Sequence, residues 1–419
     1  MNGLTRLGTT AGLATAIVLS GGCEREPWWT DPNVTWITTY GGDSSDVGGD
    51  ILLAEDGGYF IVGTSNLRFG PVPQGDVYLI RTDGAGRLLW EKTFEKEGLQ
   101  MGKSITRASD GTLVIAGWSS SAGNQGLDAY LFFVDEDGNA LRSHAIGGRL
   151  DERAFAAFEA TDGGYLLVGN IVDPADAVAD PGAAGYAGYD GRSSIYLARL
   201  DADGNEIWSR THDIGANVLA PSAVRMPDAG LLVLATITYF PNPDDDLLLL
   251  RFDEDGRETW TRTWKDGQRA ARDLIPASDG NYLIAGGHSD SDDKDRSRSD
   301  YLFIKIDPEG NEIWSSTFGD PGMIECGEVI TEAADGGFVA SGDRTKSYFA
   351  RSEDLLLVKI DASGKFLWER IYETATHNMH GGIVRHPDGG YAIVGSTVME
   401  NEAFDVFLVK TDSEGNPES

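Results

Sequence analysis

The chain has 419 residues, with 34 Lys and Arg against 67 Asp and Glu, a net charge of −33. A field of that sign repels nucleic acid and anionic headgroups, which excludes both as partners held by charge. Two cysteines, Cys23 and Cys326, build no disulfide framework and no zinc spacing, while 54 glycines and 41% hydrophobic residues suit many short strands around a large core.

Residues 1–22 carry one basic residue, Arg6, and then an uncharged small-to-apolar stretch, Leu7 to Leu19. That stretch is too short to span a bilayer and has the form of an export signal. Its end, LSGGC, resembles the lipobox of bacterial lipoproteins, with Ser20 where that family usually has an apolar residue. The resemblance implies cleavage before Cys23 and lipid on Cys23. It also implies an exported protein held at the cell envelope, at the outer membrane or cell surface rather than the inner membrane, touching the membrane through lipid only. An ordinary cleaved signal with an incidental cysteine is the alternative. Residues 23–33, with Trp28 and Trp29 between prolines 27 and 32, read as lipid anchor and tether.

From 34 to 419 one unit recurs. D-G-G-Y-like phrases place an Asp at 56, 110, 162, 228, 279, 335 and 388. Seven residues past each stands Gly63, Gly117, Gly169, Ala235, Gly286, Gly342 or Gly395. An apolar run follows, usually between two aspartates, as from Asp76 to Asp83; Ser194 opens the third copy. Gly comes three residues after the closing Asp, and four further on comes Trp90, Trp208, Trp260, Trp314 or Trp368, with Arg142 in the second copy. This is strand grammar: strand one (ILLA from Ile51), a turn, strand two (YFIVG), a variable loop, strand three (VYLIR), the D-x-x-G turn, and strand four from the Trp. Four strands in about 50 residues, repeated, predict an all-β, seven-bladed β-propeller.

The copies resemble bacterial seven-bladed propeller repeats of the DGGY…DxxGNxxW type, which implies the fold and no single activity. The D-x-x-G-x-x-x-W phrase is also similar to the tryptophan-docking motif of quinoprotein (PQQ) propellers. In that family the Gly-to-Trp segment follows one residue later, eight blades are usual, and an adjacent-cysteine disulfide is present that this chain lacks. The resemblance implies blade packing, and the same family includes a non-enzymatic outer-membrane assembly lipoprotein. The seventh copy, ending LVKTDSEGNPES, has no tryptophan. VTWITTYGG, residues 34–42, carries Trp36 and Tyr40 four apart before Gly-Gly, like strand four elsewhere. The N-terminal segment is therefore expected to complete the last blade and close the ring through Trp36 and Tyr40.

In such a ring the two–three loops and the links between blades share one face, and here their lengths vary, which marks the candidate binding face. Ten residues before the D-G-G-Y Asp stand Asp46, Gln100, Glu152, Val218, Arg269, Glu325 and Asn378; seven before stand Gly49, Lys103, Phe155, Pro221, Arg272, Glu328 and Gly381. Lys103, Glu152, Arg269, Arg272, Glu325 and Glu328 are expected at the channel mouth, with Tyr186 and Tyr189 on the long third-blade loop beside it. A hydrated channel without ligand is the alternative.

Asp290, Asp292, Asp293 and Asp295 could supply oxygens to Ca²⁺, but the EF-hand Gly and distal Glu are missing, and a solvated charged loop is expected. No cofactor is predicted. His377 and His380 have metal-like spacing without a companion ligand set, and Cys326 falls at an otherwise apolar repeat position, as a packed thiol would. No G-x-S-x-G, HExxH or P-loop occurs. The expectation is a non-enzymatic, lipid-anchored propeller serving as a binding or scaffold subunit with an envelope or surface protein partner. A glycan-binding or glycan-acting propeller with its site at the channel mouth is the alternative, and quinone-cofactor catalysis a third.

Overall fold

The computed structural model describes residues 37–68, 73–120, 126–173, 193–239, 242–265, 269–289, 298–346, 353–372, 378–398 and 403–417. Its strands form seven four-stranded antiparallel sheets. Six are meanders of four consecutive strands, as in blade 1 (Val47–Leu53, Tyr59–Arg68, Gln74–Thr82, Leu88–Phe94). Blade 7 takes three strands from the C-terminus (Asn378–Arg385, Tyr391–Val398, Phe404–Thr411) and its fourth from Ile37–Tyr40. That strand pairs antiparallel with its neighbour from Ile37↔Val409 to Tyr40↔Val406. Buried Tyr40 also donates its hydroxyl to the Gly86 carbonyl of blade 1, so the ring closes as its repeats imply. Trp36 lies outside the described residues.

The core sits between blades. Strand three is buried on both faces; all of Asp128–Val134 is buried. Seven apolar clusters each join two adjacent blades. One of them packs Tyr40, Val394 and Leu408 of blade 7 against Ile51, Tyr59 and Tyr78 of blade 1. The closing junction is thus as apolar as the others, and burial there stabilises at about 25 cal/mol per Å².

The repeated residues build these junctions. Each D-x-x-G glycine has positive φ, from 72° to 89°, as a turn with no Cβ allows. The turn's Asp accepts backbone N–H groups, as Asp83 does from Ala85 and Arg87 at 2.9 Å. The glycine has a second constraint from the preceding blade. A Cβ on Gly138 would sit 2.5 Å from Cη2 of Trp90, and Trp208, Trp260, Trp314 and Trp368 cover Gly256, Gly310, Gly364 and Gly415 in the same way. Strand four begins two residues before its Trp, earlier than the sequence pattern suggested, because Leu88 and Leu89 already pair or flank the ladder.

Strand one also begins earlier than expected, at Val47 rather than Ile51 in blade 1, because it carries a β-bulge. In blade 2, Gly102 pairs with Gly117 and Ser104 with Ala116, which leaves Lys103 as the extra residue. The same one-residue bulge occurs in the first strand of every blade but the fourth. It explains the strand-two glycine: the carbonyl before the bulge turns onto it, so that a Cβ on Gly117 would collide with the Met101 oxygen. Blade 4, with Ala235 at this position, has a different slip. Leu219 pairs with Thr236 and Ser222 with Leu234, and nothing on strand one pairs with Ala235.

Candidate functional site

The first strands surround a central cavity of about 500 Å³. Of the residues expected at the channel, Lys103, Arg272 and Glu328 line it, together with Phe155. The bulge is the reason. In blades 2, 3, 5 and 6 these four are the extra residues, and a bulge re-aims its side chain away from the ordinary alternation. Arg272 Nε lies 3.1 Å from Glu328 Oε1.

Glu152, Arg269 and Glu325 are not among the lining residues. They stand three residues before the bulge; Glu152 and Glu325 fold onto the links between blades, and Arg269 turns towards strand four of its own blade. Glu152 Oε2 accepts from Gly148 N at 3.2 Å, and Glu325 Oε2 from Asp320 N at 2.9 Å. Arg344 pairs with Glu325 at 3.1 Å, and Arg269 Nη1 lies 3.7 Å from Glu312. At three such junctions two acids meet, one of them around Gly319, which Asp300 Oδ1 and Glu325 Oε2 both approach. A Cβ on Gly147 would run into both Asp128 Oδ1 and Glu152 Oε2, so the two carboxylates straddle the glycine; Gly41 is straddled likewise by Asp405 and Asp46. Burial first, then the neighbouring Asp128 and Asp151, push Glu152 up to about 7. Burial, then Asp46, push Asp405 up to about 6.

The cavity contains charges that the sequence reading missed. Asp50 and Asp273 stand six residues before their D-G-G-Y Asp and cap the bulges. Asp50 accepts from Ile51 N at 2.8 Å and, in blade 2, from Ile105 N at 3.0 Å. Asp273 accepts from Leu274 N at 2.8 Å, from Ile330 N of blade 6 at 3.0 Å, and from the Ser222 hydroxyl at 3.1 Å. Burial pushes Asp50 up to about 6 and raises Asp273; the Lys103 charge opposes both shifts. Lys103 Nζ itself has no hydrogen-bond or ion-pair partner among the described residues. Asn170, 7% exposed, presents a buried Oδ1 with no hydrogen-bond partner. Trp118 and Phe155 form an aromatic wall with centroids 5.9 Å apart, and the Arg153 guanidinium lies 5.7 Å from the Trp118 ring.

At the cavity's edge His380 Nε2 lies 2.6 Å from Asp343 Oδ1, and Nδ1 lies 3.3 Å from Ser341 Oγ. Ser341 is 0% exposed, so its oxygen is closed to a substrate, and the trio ties blade 6 to blade 7. Burial opposes charging of His380, but the Asp343 carboxylate outweighs it, with help from Glu328 and Glu353, and holds the imidazole above its usual range. Cys326 is a free thiol, pushed up by burial. Among the described residues no three His, Cys, Asp or Glu side chains converge as metal ligands. Cys23, Tyr186, Tyr189, Asp290, Asp292, Asp293, Asp295 and His377 lie outside the described residues.

No protein-family model matches the chain, and no curated protein does. Solved structures do. A protein of unknown function from Dyadobacter fermentans is 8% identical with a TM-score of 0.51, over 90% of this chain and 97% of that one. A puromycin hydrolase mutant, S511A, complexed with PGG, is 16% identical with a TM-score of 0.52, over 89% of this chain and 53% of that one, so this chain spans about half its length. At these identities the likeness is one of fold.

Proposed function

We propose that the protein is a lipid-anchored propeller that serves as a binding or scaffold subunit of a cell-envelope or surface assembly. The observation that carries this reading is the outer rim. The residue before the strand-four Trp or its Arg142 substitute is a large, exposed apolar side chain in blade after blade: Leu89 at 55%, Leu141 at 52%, Ile207 at 56%, Ile313 at 50% and Leu367 at 45%. Strand four is the edge strand of each sheet, with unpaired backbone groups beside those side chains. Such edges are what a partner chain can add to. The anchor fits this use, because thirteen residues separate Cys23 from Ile37, at most about 50 Å of chain.

The glycan alternative draws no support from Glu152 and Glu325, which are engaged at the links between blades, or from Arg269, which is paired with Glu312. The test is crosslinking and affinity purification from native membranes. A stoichiometric protein partner, lost on Leu141→Asp with Ile207→Asp, is expected, as is release from membranes on Cys23→Ser. Recovery of monomer alone would overturn the reading.

A further inference from the structure

We propose that the central cavity binds a small zwitterion of the amino-acid or short-peptide class, its carboxylate received by Lys103 and its ammonium by Asp50 and Asp273. This is independent of the envelope-assembly reading. The cavity volume falls within the range of ligand sites, about 300–1,000 Å³. Three charges without a contact partner of opposite sign come from blades 2, 1 and 5 and all face one space. Lys103 Nζ has no partner within contact among the described residues, and neither aspartate is bonded to a cation; their hydrogen bonds come from backbone N–H groups and the Ser222 hydroxyl. The three act on one another through charge across the cavity rather than by contact.

Charges held so far from contact partners are costly to dehydrate. A ligand with both signs relieves all three, whereas an amine alone leaves Lys103 unpaired and a carboxylate alone leaves the aspartates so. The chain's overall charge of −33 disfavours entry of a net anion, while a zwitterion carries no net charge through that field. The rest of the cavity fits the same class. Asn170 Oδ1, buried without a donor, can accept from an ammonium or peptide N–H. The Trp118–Phe155 wall offers an apolar surface for a side chain.

The full chain is screened by thermal shift against the proteinogenic L-amino acids and glycyl dipeptides at about 10 mM, a ligand that binds the native state alone raising the melting point. The best member is then titrated calorimetrically, beside its deaminated and decarboxylated halves. The expected result is binding at least about tenfold tighter than by either half. Lys103→Met should weaken the zwitterion about tenfold or more and leave the amine half within about twofold; Asp273→Asn should do the reverse to the two halves. Position 103 tolerates change, since Gly49 and Gly381 occupy the same bulge place in other blades, and Lys103→Gly is the second variant should Lys103→Met melt early. The proposal is overturned if no member of the panel shifts the melting point, if Lys103→Met binds the best member as tightly as the parent chain, or if the carboxylate half binds equally well.

Discussion

Phe133 and Arg142 face each other across strands three and four of blade 2, with the Arg142 guanidinium 4.1 Å from the Phe133 ring centroid. In blade 1 the same register place pairs Arg81 with Trp90, and in blade 3 Arg199 with Trp208. Blade 2 has therefore exchanged the cation and the aromatic ring between the strands at this register place, and there the two are in contact. Arg142 also takes over the tryptophan's reach to the next blade, donating to the Ala202 carbonyl at 3.0 Å, while His144 covers Gly204. The exchange accounts for the second copy, where Arg142 stands at the Trp position.

Reversing the exchange is a direct check. Phe133→Arg alone places two cations in register and should cost about 1 kcal/mol or more. Arg142→Trp alone loses the cation–π pair, worth about 0.5–1 kcal/mol at a partly exposed site. The double variant restores the arrangement of the neighbouring blades, with Asp110 placed to pair with the introduced guanidinium as Asp56 pairs with Arg81. Urea melts of the four proteins should give a coupling energy that favours the double variant, and strict additivity would refute the pairing.

The strand-two glycine gives a sharper contrast. Gly117→Ala drives a methyl onto the Met101 carbonyl, against backbone that is held on both sides, and should cost about 3 kcal/mol or more. Ala235→Gly, at the one blade whose register slips past this position, should cost only about 0.5–1 kcal/mol, the usual loss for glycine in a strand. Equal effects by chemical denaturation would mean that the bulge carbonyl does not impose the glycine.

These cases indicate what could be read in advance. The D-x-x-G and D-G-G-Y turns were legible because positive φ and a capping carboxylate leave a fixed residue pattern. Lys103, Arg272 and Glu328 were found because the bulge holds a constant distance from that turn. Glu152, Arg269 and Glu325 stand at an equally constant distance, yet constant spacing does not tell a side chain facing the cavity from one turned away from it. Asp50 and Asp273 escaped because their place is Ser104, Ala156, Ser222, Val329 or Gly382 in the other copies, so no repeat marks them. His380 looked like half of a metal pair; its partner Asp343 lies 37 residues away, across a blade junction.

Ala229 holds φ at 70°, where the corresponding turn residue of the other blades is glycine. A left-handed alanine costs about 1–2 kcal/mol, part of which glycine returns as unfolded-state entropy. Ala229→Gly should raise stability by roughly 0.5–1 kcal/mol, read as a higher denaturation midpoint at unchanged slope.

Burial of Glu152, with the Asp128 carboxylate beside it, makes stability depend on pH. Its folded pKa, about 7, lies above the ordinary value of 4.5, so the folded chain holds more protons and stability falls as pH rises from 4.5 through about 7. Glu152→Gln keeps an acceptor for Gly148 N without the charge. It should stabilise the protein by roughly 1–3 kcal/mol at about pH 8 and by little at about pH 4. An unchanged difference between the two pH values would mean that folding does not raise the Glu152 carboxyl.

Ring closure is the last test, and it separates a single contact from the strand that carries it. Tyr40→Phe removes only the hydrogen bond to the Gly86 carbonyl and should cost about 1 kcal/mol, with unfolding still a single transition. Deleting residues 34–42 removes the fourth strand of blade 7 and the Tyr40 side of the junction with blade 1, and it exposes the ladder of Phe404–Thr411 as an open edge. Because every junction shares its core with two blades, opening one should loosen both neighbours. The deletion should therefore broaden the thermal transition and promote self-association, by light scattering, far beyond what Tyr40→Phe does. A deletion variant that melts as one sharp, monomeric transition near the parent temperature would mean that the N-terminal strand decorates the ring rather than closing it.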